Sequence, residues 1–142
     1  MKKPNSLKNY HKFYIETARQ RVLELFFKYS EKEFSLSDVA KEAGVAKANV
    51  GEILIELEEI GFIKIERLTK IWRVKANQSN WSFIRSKIVY NLNFVYQSGL
   101  VEFLNEHLRN PRAIILFGSF RRGEDFSTSD IDIAIETDDA KE

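Results

Sequence analysis

The sequence contains no cysteine, only two prolines and six glycines, and a single methionine among its 142 residues. Without cysteine there is no disulfide scaffold, no Cys-ligated zinc, no redox motif and no cysteine nucleophile. No apolar run approaches the roughly 18 residues that a membrane-spanning helix needs. The N-terminal sequence MKKPNSLKNYHK also lacks the apolar segment of a signal peptide. We therefore expect a cytoplasmic protein with no membrane partner.

The composition is that of an ordinary globular protein, with 44% hydrophobic and 30% charged residues. The length suits one domain or two small ones. The formal net charge of +1 hides an asymmetry along the chain. Residues 1–80 carry fifteen basic and eleven acidic side chains, whereas residues 81–142 carry seven and ten. A basic front half and an acidic rear half suggest different partners for the two parts.

The front half has the periodicity of helices followed by a hairpin. Residues 1–9 read as a basic tail. The predicted elements are a helix from about Tyr10 to Tyr29, a short helix capped by Ser37 and ended by Gly44, a third helix from about Lys47 to Ile60, and two strands at 62–67 and 71–74. This order of helix, short helix, tight turn, helix and hairpin is that of a winged helix-turn-helix.

The segment FSLSDVAKEAGVAKANVGEILIELEEIGFIKI closely resembles the middle of winged helix-turn-helix domains. In that family the start of the third helix reaches base edges in the major groove, and cations of the hairpin, the wing, contact phosphates. The resemblance implies double-stranded DNA as a partner, with contacts at Lys47, Asn49, Lys64, Arg67, Lys70 and Arg73. Four glutamates of the third helix, at 52, 56, 58 and 59, oppose that reading because carboxylates repel phosphates. The alternative is a module that mediates protein contact or dimerisation.

The region 78–110 has helical periodicity and is interpreted as linker helices. Its apolar stripe, which we expect to be buried, consists of Trp81, Ile84, Ile88, Leu92 and Val95. Tyr90, Phe94 and Tyr96 offer instead a seam for a homodimer. Two strands are predicted at 112–117 and 131–135. The fold class is α+β, and the predicted divisions are a tail (1–9), a winged helix-turn-helix (10–77), linker helices (78–110) and a partial second domain (111–142).

The motif that carries chemistry is LFGSFRRG at 116–123, followed by SDIDI at 129–133. A Gly118-Ser119 bend after a strand turns backbone N–H groups toward a phosphate. Arg122 offers a planar fork of donors to phosphate oxygens, and Gly123 permits a second close approach. Asp130 and Asp132 lie two apart in a predicted strand, so their side chains leave the same face with Cα atoms ~6.6 Å apart. Paired carboxylates at that spacing suit Mg²⁺.

This stretch resembles the polymerase-beta-like nucleotidyltransferase superfamily, in particular its minimal branch. The family pattern of Gly-Ser, Arg-Gly and Ser-Asp-x-Asp is matched by Gly118, Ser119, Arg122, Gly123, Ser129, Asp130 and Asp132. The resemblance implies transfer of a nucleoside monophosphate from an NTP, with Mg²⁺ ions that clamp the reacting oxygens. It assigns triphosphate binding to Gly118 and Ser119, and catalysis and metal binding to Asp130 and Asp132.

The family also uses a third carboxylate on a later strand, and this sequence does not supply one in register. Asp138 and Asp139 are the only later candidates, and Asp138 lies ~20 Å from Asp132 along an extended strand. The chain is therefore a fragment of a longer protein, which we favour, or it is completed by another chain, or it is degenerate.

The leading hypothesis is a transcription-regulator-like DNA-binding protein whose nucleotidyltransferase motif binds Mg-NTP and is incomplete for catalysis. The alternatives are the N-terminal part of an active, antitoxin-type minimal nucleotidyltransferase, and a winged-helix dimerisation scaffold without catalysis.

Overall fold

The computed structural model describes residues 17–138. Within that range the helices are α1 (Ala18–Lys28), α2 (Leu36–Ala43), α3 (Lys47–Glu59), α4 (Trp81–Gln97), α5 (Leu100–His107) and α6 (Gly118–Arg122). The strands are β1 (Glu33–Phe34), β2 (Ile63–Arg67), β3 (Trp72–Ala76), β4 (Ala113–Phe117) and β5 (Asp132–Glu136). The predicted basic tail, the predicted helical residues 10–16 and the acidic residues 139–142 lie outside the described range.

Both of the first two helices begin at capping side chains. Thr17 is extended, and its hydroxyl accepts the N–H of Gln20 at 3.1 Å, so α1 begins at Ala18 rather than at the predicted Tyr10. Helix α2 begins with a capping box in which the Ser35 hydroxyl accepts the N–H of Asp38 at 3.1 Å and the Asp38 carboxylate accepts the N–H of Ser35 at 3.0 Å. The prediction of Ser37 as this cap was wrong because the acidic partner lies three residues after Ser35.

The turn between α2 and α3 depends on a glycine. Gly44 has φ +64°, and its N–H bonds back to the carbonyls of Ala40 and Lys41. Val45 follows and is buried. The chain therefore reverses in three residues and sets α3 against α2, which buries one stripe of α3 in the core: Val50, Leu54 and Leu57.

A three-stranded antiparallel sheet completes this module, with strand order β1-β3-β2. Strands β2 and β3 form the predicted hairpin, and Lys64 lies opposite Lys75 in their register. The two-residue β1 was not predicted, because two residues carry no periodic signal; Phe34 pairs with Val74 and is buried. Helix, short helix, turn, helix and wing are all present, and the prediction of a winged helix-turn-helix is confirmed.

Helix α4 buries a face that overlaps the predicted stripe only in part: Val95 is buried and Ile84 and Ile88 are half-buried, whereas Leu92 is exposed. Phe83, Lys87, Asn91 and Val95 are its buried residues, at i, i+4 spacing. Trp81, expected in the core, has 66% of its surface exposed. The physical reason is that two polar side chains take core positions and make hydrogen bonds there, which apolar periodicity does not detect. Helix α4 thus packs onto the winged helix through Phe83, whose ring lies 5.3 Å from that of Phe27.

The three residues of the predicted dimer seam do not lie on one exposed surface. Tyr90 faces inward, with its ring 5.4 Å from that of Phe27, and Phe94 packs against Phe120 at 6.3 Å. Only Tyr96 of the three has no ring contact within the described chain and is mainly exposed.

The C-terminal unit is a two-stranded antiparallel sheet of β4 and β5. Ile114, Leu116 and Ile133 face α4 and α5 across an apolar cavity of about 120 Å³. Ile115 and Phe117, on the other face of β4, are half exposed. Helices and small antiparallel sheets follow each other along the chain, so the α+β class is confirmed. None of the helices in 17–138 is both long and apolar enough to cross a bilayer.

Candidate functional site

The bend after β4 brings a glycine against a carboxylate. Phe117 pairs with Asp132 in the β4–β5 register, so Gly118 begins α6 beside the first residue of β5. Gly118 has φ +80°, and a Cβ at this position would lie 2.1 Å from Oδ2 of Asp132 and 3.0 Å from its Cγ. Only glycine leaves room for the carboxylate in this place. The structure thus joins the two ends of the predicted motif, Gly118 and Asp132.

Asp130 differs from the prediction in its local structure. It lies in the loop before β5 and is exposed, whereas both aspartates were predicted to lie in one strand. The shared face of Asp130 and Asp132 therefore stays a prediction. Asp138, the remaining described candidate for a third carboxylate, lies at the far end of the hairpin, where it pairs with Arg112 at 3.2 Å. Within residues 17–138, no group of three acidic, His or Cys side chains is placed to hold a metal ion.

The arginine and the second glycine of the motif have structural partners. Arg122 is exposed and donates to the Glu124 carboxylate at 2.8 Å. Gly123 ends α6 at φ +70°, and a Cβ there would lie 2.9 Å from the Ile84 carbonyl oxygen. The close approach at Gly123 is therefore made to helix α4. The phosphate roles of Arg122, Gly123 and the half-buried Ser119 stay predictions.

A buried polar cluster, formed by Lys87, Asn91, Asp125 and Ser30, lies beneath the motif and was missed by the sequence analysis. Lys87 is 1% exposed; its ammonium pairs with the Asp125 carboxylate at 3.3 Å and donates to the Ser30 hydroxyl at 2.9 Å and to the Asp125 carbonyl. Asn91 donates to the Phe120 carbonyl at 2.8 Å and to the Asp125 carboxylate at 2.7 Å. Burial lowers the pKa of the Lys87 ammonium, and the Asp125 carboxylate opposes that shift.

A second contact ties the same loop to the winged helix at the surface. Glu31 accepts the Ser127 N–H at 3.3 Å and also accepts its hydroxyl. Partial burial opposes the shift, but the bonds from Ser127 and the charge of Lys32 lower the pKa of the Glu31 carboxyl. The sequence of α4 contains several polar side chains, so nothing in it distinguishes the buried Lys87 and Asn91 from the exposed ones. A contact about 95 residues away in the chain leaves no local pattern.

The N-terminal end of α3, which was predicted to contact DNA bases, is exposed to solvent. Lys47 and Asn49 are exposed, and Ala46 at the N-cap supplies no side-chain hydrogen bond. Two of the opposing glutamates have cationic partners: Glu56 pairs with Arg19 at 3.3 Å and Glu58 with Arg67 at 2.7 Å. Glu52 and Glu59 remain exposed on the helix.

The wing cations fall into two groups. Arg67 is held by both oxygens of Glu58, at 3.1 and 2.7 Å, and lies 5.1 Å from the centre of the Trp72 ring. Hydrogen bonding to Glu58 raises the pKa of Arg67. Lys64, Lys70 and Arg73 are exposed, and none forms an ion pair within the described residues. In the sheet register Lys64 faces Lys75, while Lys75 also has Glu33 on its other side and Arg73 faces Glu66.

Comparison with protein families gives a match in the C-terminal part. The family "Polymerase beta, Nucleotidyltransferase" matches residues 99–142, about a third of the chain. The matched segment contains the whole of the motif at 116–133, so the predicted kinship to nucleotidyltransferases is confirmed for this part. No curated protein matches the chain.

Among solved structures, the chain is similar to MepR, a transcription regulator of the Staphylococcus aureus multidrug efflux pump MepA, with 17% identity and a TM-score of 0.46 over 73% of this chain and 79% of that one. It is also similar to a mutant of MepR from a multidrug-resistant S. aureus clinical isolate (15%, TM-score 0.44, 75% and 89%) and to the transcriptional regulator PA4135 (17%, TM-score 0.43, 73% and 82%). All three TM-scores lie below 0.5, so the winged-helix assignment rests on the helix order and strand pairing of this chain.

Proposed function

We propose that this protein binds double-stranded DNA through its winged helix, in the manner of a transcription regulator, and binds Mg-NTP at its nucleotidyltransferase motif. The observation that carries the nucleotide part is the contact between Gly118 and the Asp132 carboxylate. It sets the start of α6, whose backbone N–H groups suit phosphate oxygens, beside an oxygen ligand for a cation.

The donor set fits Mg²⁺ that arrives with its nucleotide. Asp132 and Asp130 would hold the ion, with phosphate oxygens and water in the other positions, which is the usual way proteins bind this metal. When bound, Mg²⁺ would neutralise triphosphate charge. Gly118 and Ser119 would orient the triphosphate from the opposite side. Since no third carboxylate joins the two aspartates within residues 17–138, the proposal for these residues is binding, and transfer would need a further carboxylate.

Isothermal titration with Mg-ATP tests the nucleotide part. We expect saturable heat from the native chain and none from Asp132→Asn, because the amide loses the negative charge that holds the ion while keeping the side-chain shape. Arg112→Gln, at the far end of the β4–β5 hairpin, is the matched control and should bind as the native chain does. Absence of heat from the native chain with ATP, GTP, CTP and UTP alike would reject nucleotide binding.

The DNA part rests on the exposed cations of the wing together with the open start of α3. Lys64, Lys70, Arg73 and Lys75 project from one hairpin without ion pairs among the described residues, and the uncapped N-terminus of α3 leaves backbone N–H groups for phosphate. Arg67, by contrast, is proposed to stabilise the hairpin through Glu58 rather than to contact DNA.

Salt-dependent binding to duplex DNA tests this part. Affinity should fall steeply with salt, and Lys70→Glu or Arg73→Glu should weaken binding to all sequences, each reducing the salt slope by about 1. Arg85→Glu on α4 makes the same charge change away from the wing and should leave binding unaltered. A salt-independent affinity, or equal losses for Arg85→Glu and Arg73→Glu, would argue against the wing as a DNA contact.

A second candidate function, dimerisation, is favoured by the outer face of α4. Val89 and Tyr96 are 68% and 57% exposed, and Leu92 between them is also exposed. The only exposed charge on this 17-residue helix is Arg85, which lies 5.8 Å from the centre of the Trp81 ring. Such an apolar face suits a second copy of the same face. Light scattering that shows a dimer for the native chain and a monomer for Val89→Glu would support it; a monomeric native chain would reject it.

A further inference from the structure

The buried polar cluster connects three parts of the molecule that the proposed function treats separately. Lys87 and Asn91 belong to α4, Asp125 belongs to the loop 123–129, and Ser30 follows α1 of the winged helix. The loop 123–129 joins the Gly-Ser bend to the aspartates of the motif. Lys87 is therefore the centre of a contact between the nucleotide motif and the DNA-binding module.

The two α4 side chains hold both sides of the proposed site. Asn91 binds the Phe120 carbonyl in the middle of α6 and the Asp125 carboxylate in the loop with the same amide group. Lys87 binds the Asp125 carboxylate and carbonyl. One face of one helix thus sets the distance between the element that begins at Gly118 and the loop that leads to Asp130.

The loop transmits this anchoring to Asp130 by its own hydrogen bonds. The Glu124 N–H donates to the Ser119 carbonyl at 3.0 Å, the Phe126 N–H donates to the Ser129 hydroxyl at 2.8 Å, and the Ser129 N–H donates to the Phe126 carbonyl at 3.0 Å. Ser129 immediately precedes Asp130. The position of Asp130 therefore follows from where Asp125 is held.

We propose that Lys87 and Asn91 are positioning residues of the nucleotide site: they fix the loop 123–129 against α6 and the winged helix, so that Asp130 is held in place ahead of Asp132 before a nucleotide arrives. This rests on the proposed nucleotide binding at Gly118, Ser119, Asp130 and Asp132. A buried ion pair is a costly choice for a core stripe, since apolar residues at such positions are often equally stable. We therefore assign the pair to holding the loop in place rather than to stability alone.

The test compares loop protection, nucleotide affinity and global stability in one set of variants. In Lys87→Met and Asn91→Leu we expect amide hydrogen exchange in 123–129 to rise about tenfold or more, since each change removes hydrogen bonds involving a charged group. Mg-ATP affinity should fall about tenfold, with DNA affinity unchanged. Arg85→Met, on the same helix but exposed, should match the native chain in all three measurements.

Two further variants separate positioning from folding. Lys87→Met with Asp125→Asn removes both charges and leaves no unpaired buried ion, so it remains testable if the single variant does not fold; it should still release the loop. Val22→Ala destabilises the winged-helix core without touching the loop, and its folded form should keep full Mg-ATP affinity. Unchanged loop exchange in the double variant, or a released loop with native Mg-ATP affinity, would overturn the proposal. If the native chain binds no nucleotide, both the proposed nucleotide binding and the positioning role of Lys87 and Asn91 are rejected. The hydrogen-exchange data would still show whether these residues anchor the loop.

Discussion

Replacement of Gly118 by alanine probes the contact on which the proposed nucleotide site depends. The added Cβ would lie 2.1 Å from Asp132 Oδ2, 3.0 Å from Cγ and 3.2 Å from Cβ, so the carboxylate has to leave its position. The backbone is also at φ +80°, which disfavours any residue with a Cβ by about 1–2 kcal/mol. We expect both a loss of stability of at least that size and a loss of Mg-ATP binding.

Two other glycines separate these effects. Gly44 has φ +64°, but the nearest atom to an added Cβ, Arg21 Nη1, is 4.0 Å away, so Gly44→Ala should cost about the same 1–2 kcal/mol and leave Mg-ATP binding intact. Gly51 lies within α3 with ordinary space around it, the Leu36 Cδ1 atom being 3.8 Å away. Gly51→Ala should therefore stabilise the protein by up to about 1 kcal/mol through helix propensity.

The assays are urea unfolding for the free energy and titration calorimetry with Mg-ATP for binding. We expect Gly118→Ala to be destabilised at least as much as Gly44→Ala, because it adds a clash with Asp132 to the cost of the positive φ. Only Gly118→Ala should lose affinity, by about tenfold or more, as expected for a displaced charged ligand. Native affinity in Gly118→Ala would show that the carboxylate beside the bend does not serve the nucleotide. Equal losses of affinity in both variants would trace the effect to backbone strain.

Two further predictions concern the capping of α2 and the contact of Tyr90 on α4 with the winged helix. Ser35→Ala should destabilise it by about 1 kcal/mol, because the capping box at α2 is lost, whereas Ser37→Ala should change the free energy of unfolding by a few tenths at most; equal effects of the two changes would contradict the assignment of the cap. Burial first, and then the charges of Glu24, Asp125 and Tyr29, raise the pKa of Tyr90 to about 12. Since the unfolded phenol ionises near 10, stability is full below that pH and falls as the pH rises toward 12. In Tyr90→Phe the free energy of unfolding should no longer fall between pH 10 and 12 by the amount that Tyr90 contributes. The same fall in the variant as in the native chain would contradict the prediction.

The sequence predicted the elements whose signal is local. The apolar period of α3, Gly44 after α2 and the two runs of the wing indicated the winged helix-turn-helix, because helix and strand periods, caps and turns involve residues a few positions apart. The Gly-Ser and Ser-Asp-x-Asp motif likewise identified the nucleotidyltransferase-like segment that the family match covers.

Errors arose where burial is decided by contacts between distant segments. The predicted stripe of α4 contained only apolar residues, so it missed the buried Lys87 and Asn91, although Val95 is buried as predicted. Trp81, read as apolar and therefore buried, is largely exposed. In both cases the residues packed against a side chain decide whether it is buried. Those residues are too far away in the sequence to leave a local pattern.

The amino-acid order alone thus determined which segments form helices and wing, and which residues make up the nucleotidyltransferase-like motif. The tertiary structure decided that Asp132 lies against Gly118, that the loop before Asp130 is tied to the winged helix through Lys87, and that Arg67 is held by Glu58. The physical reason is that a buried charge is stable only when its partners surround it, and those partners come from segments that only folding brings together.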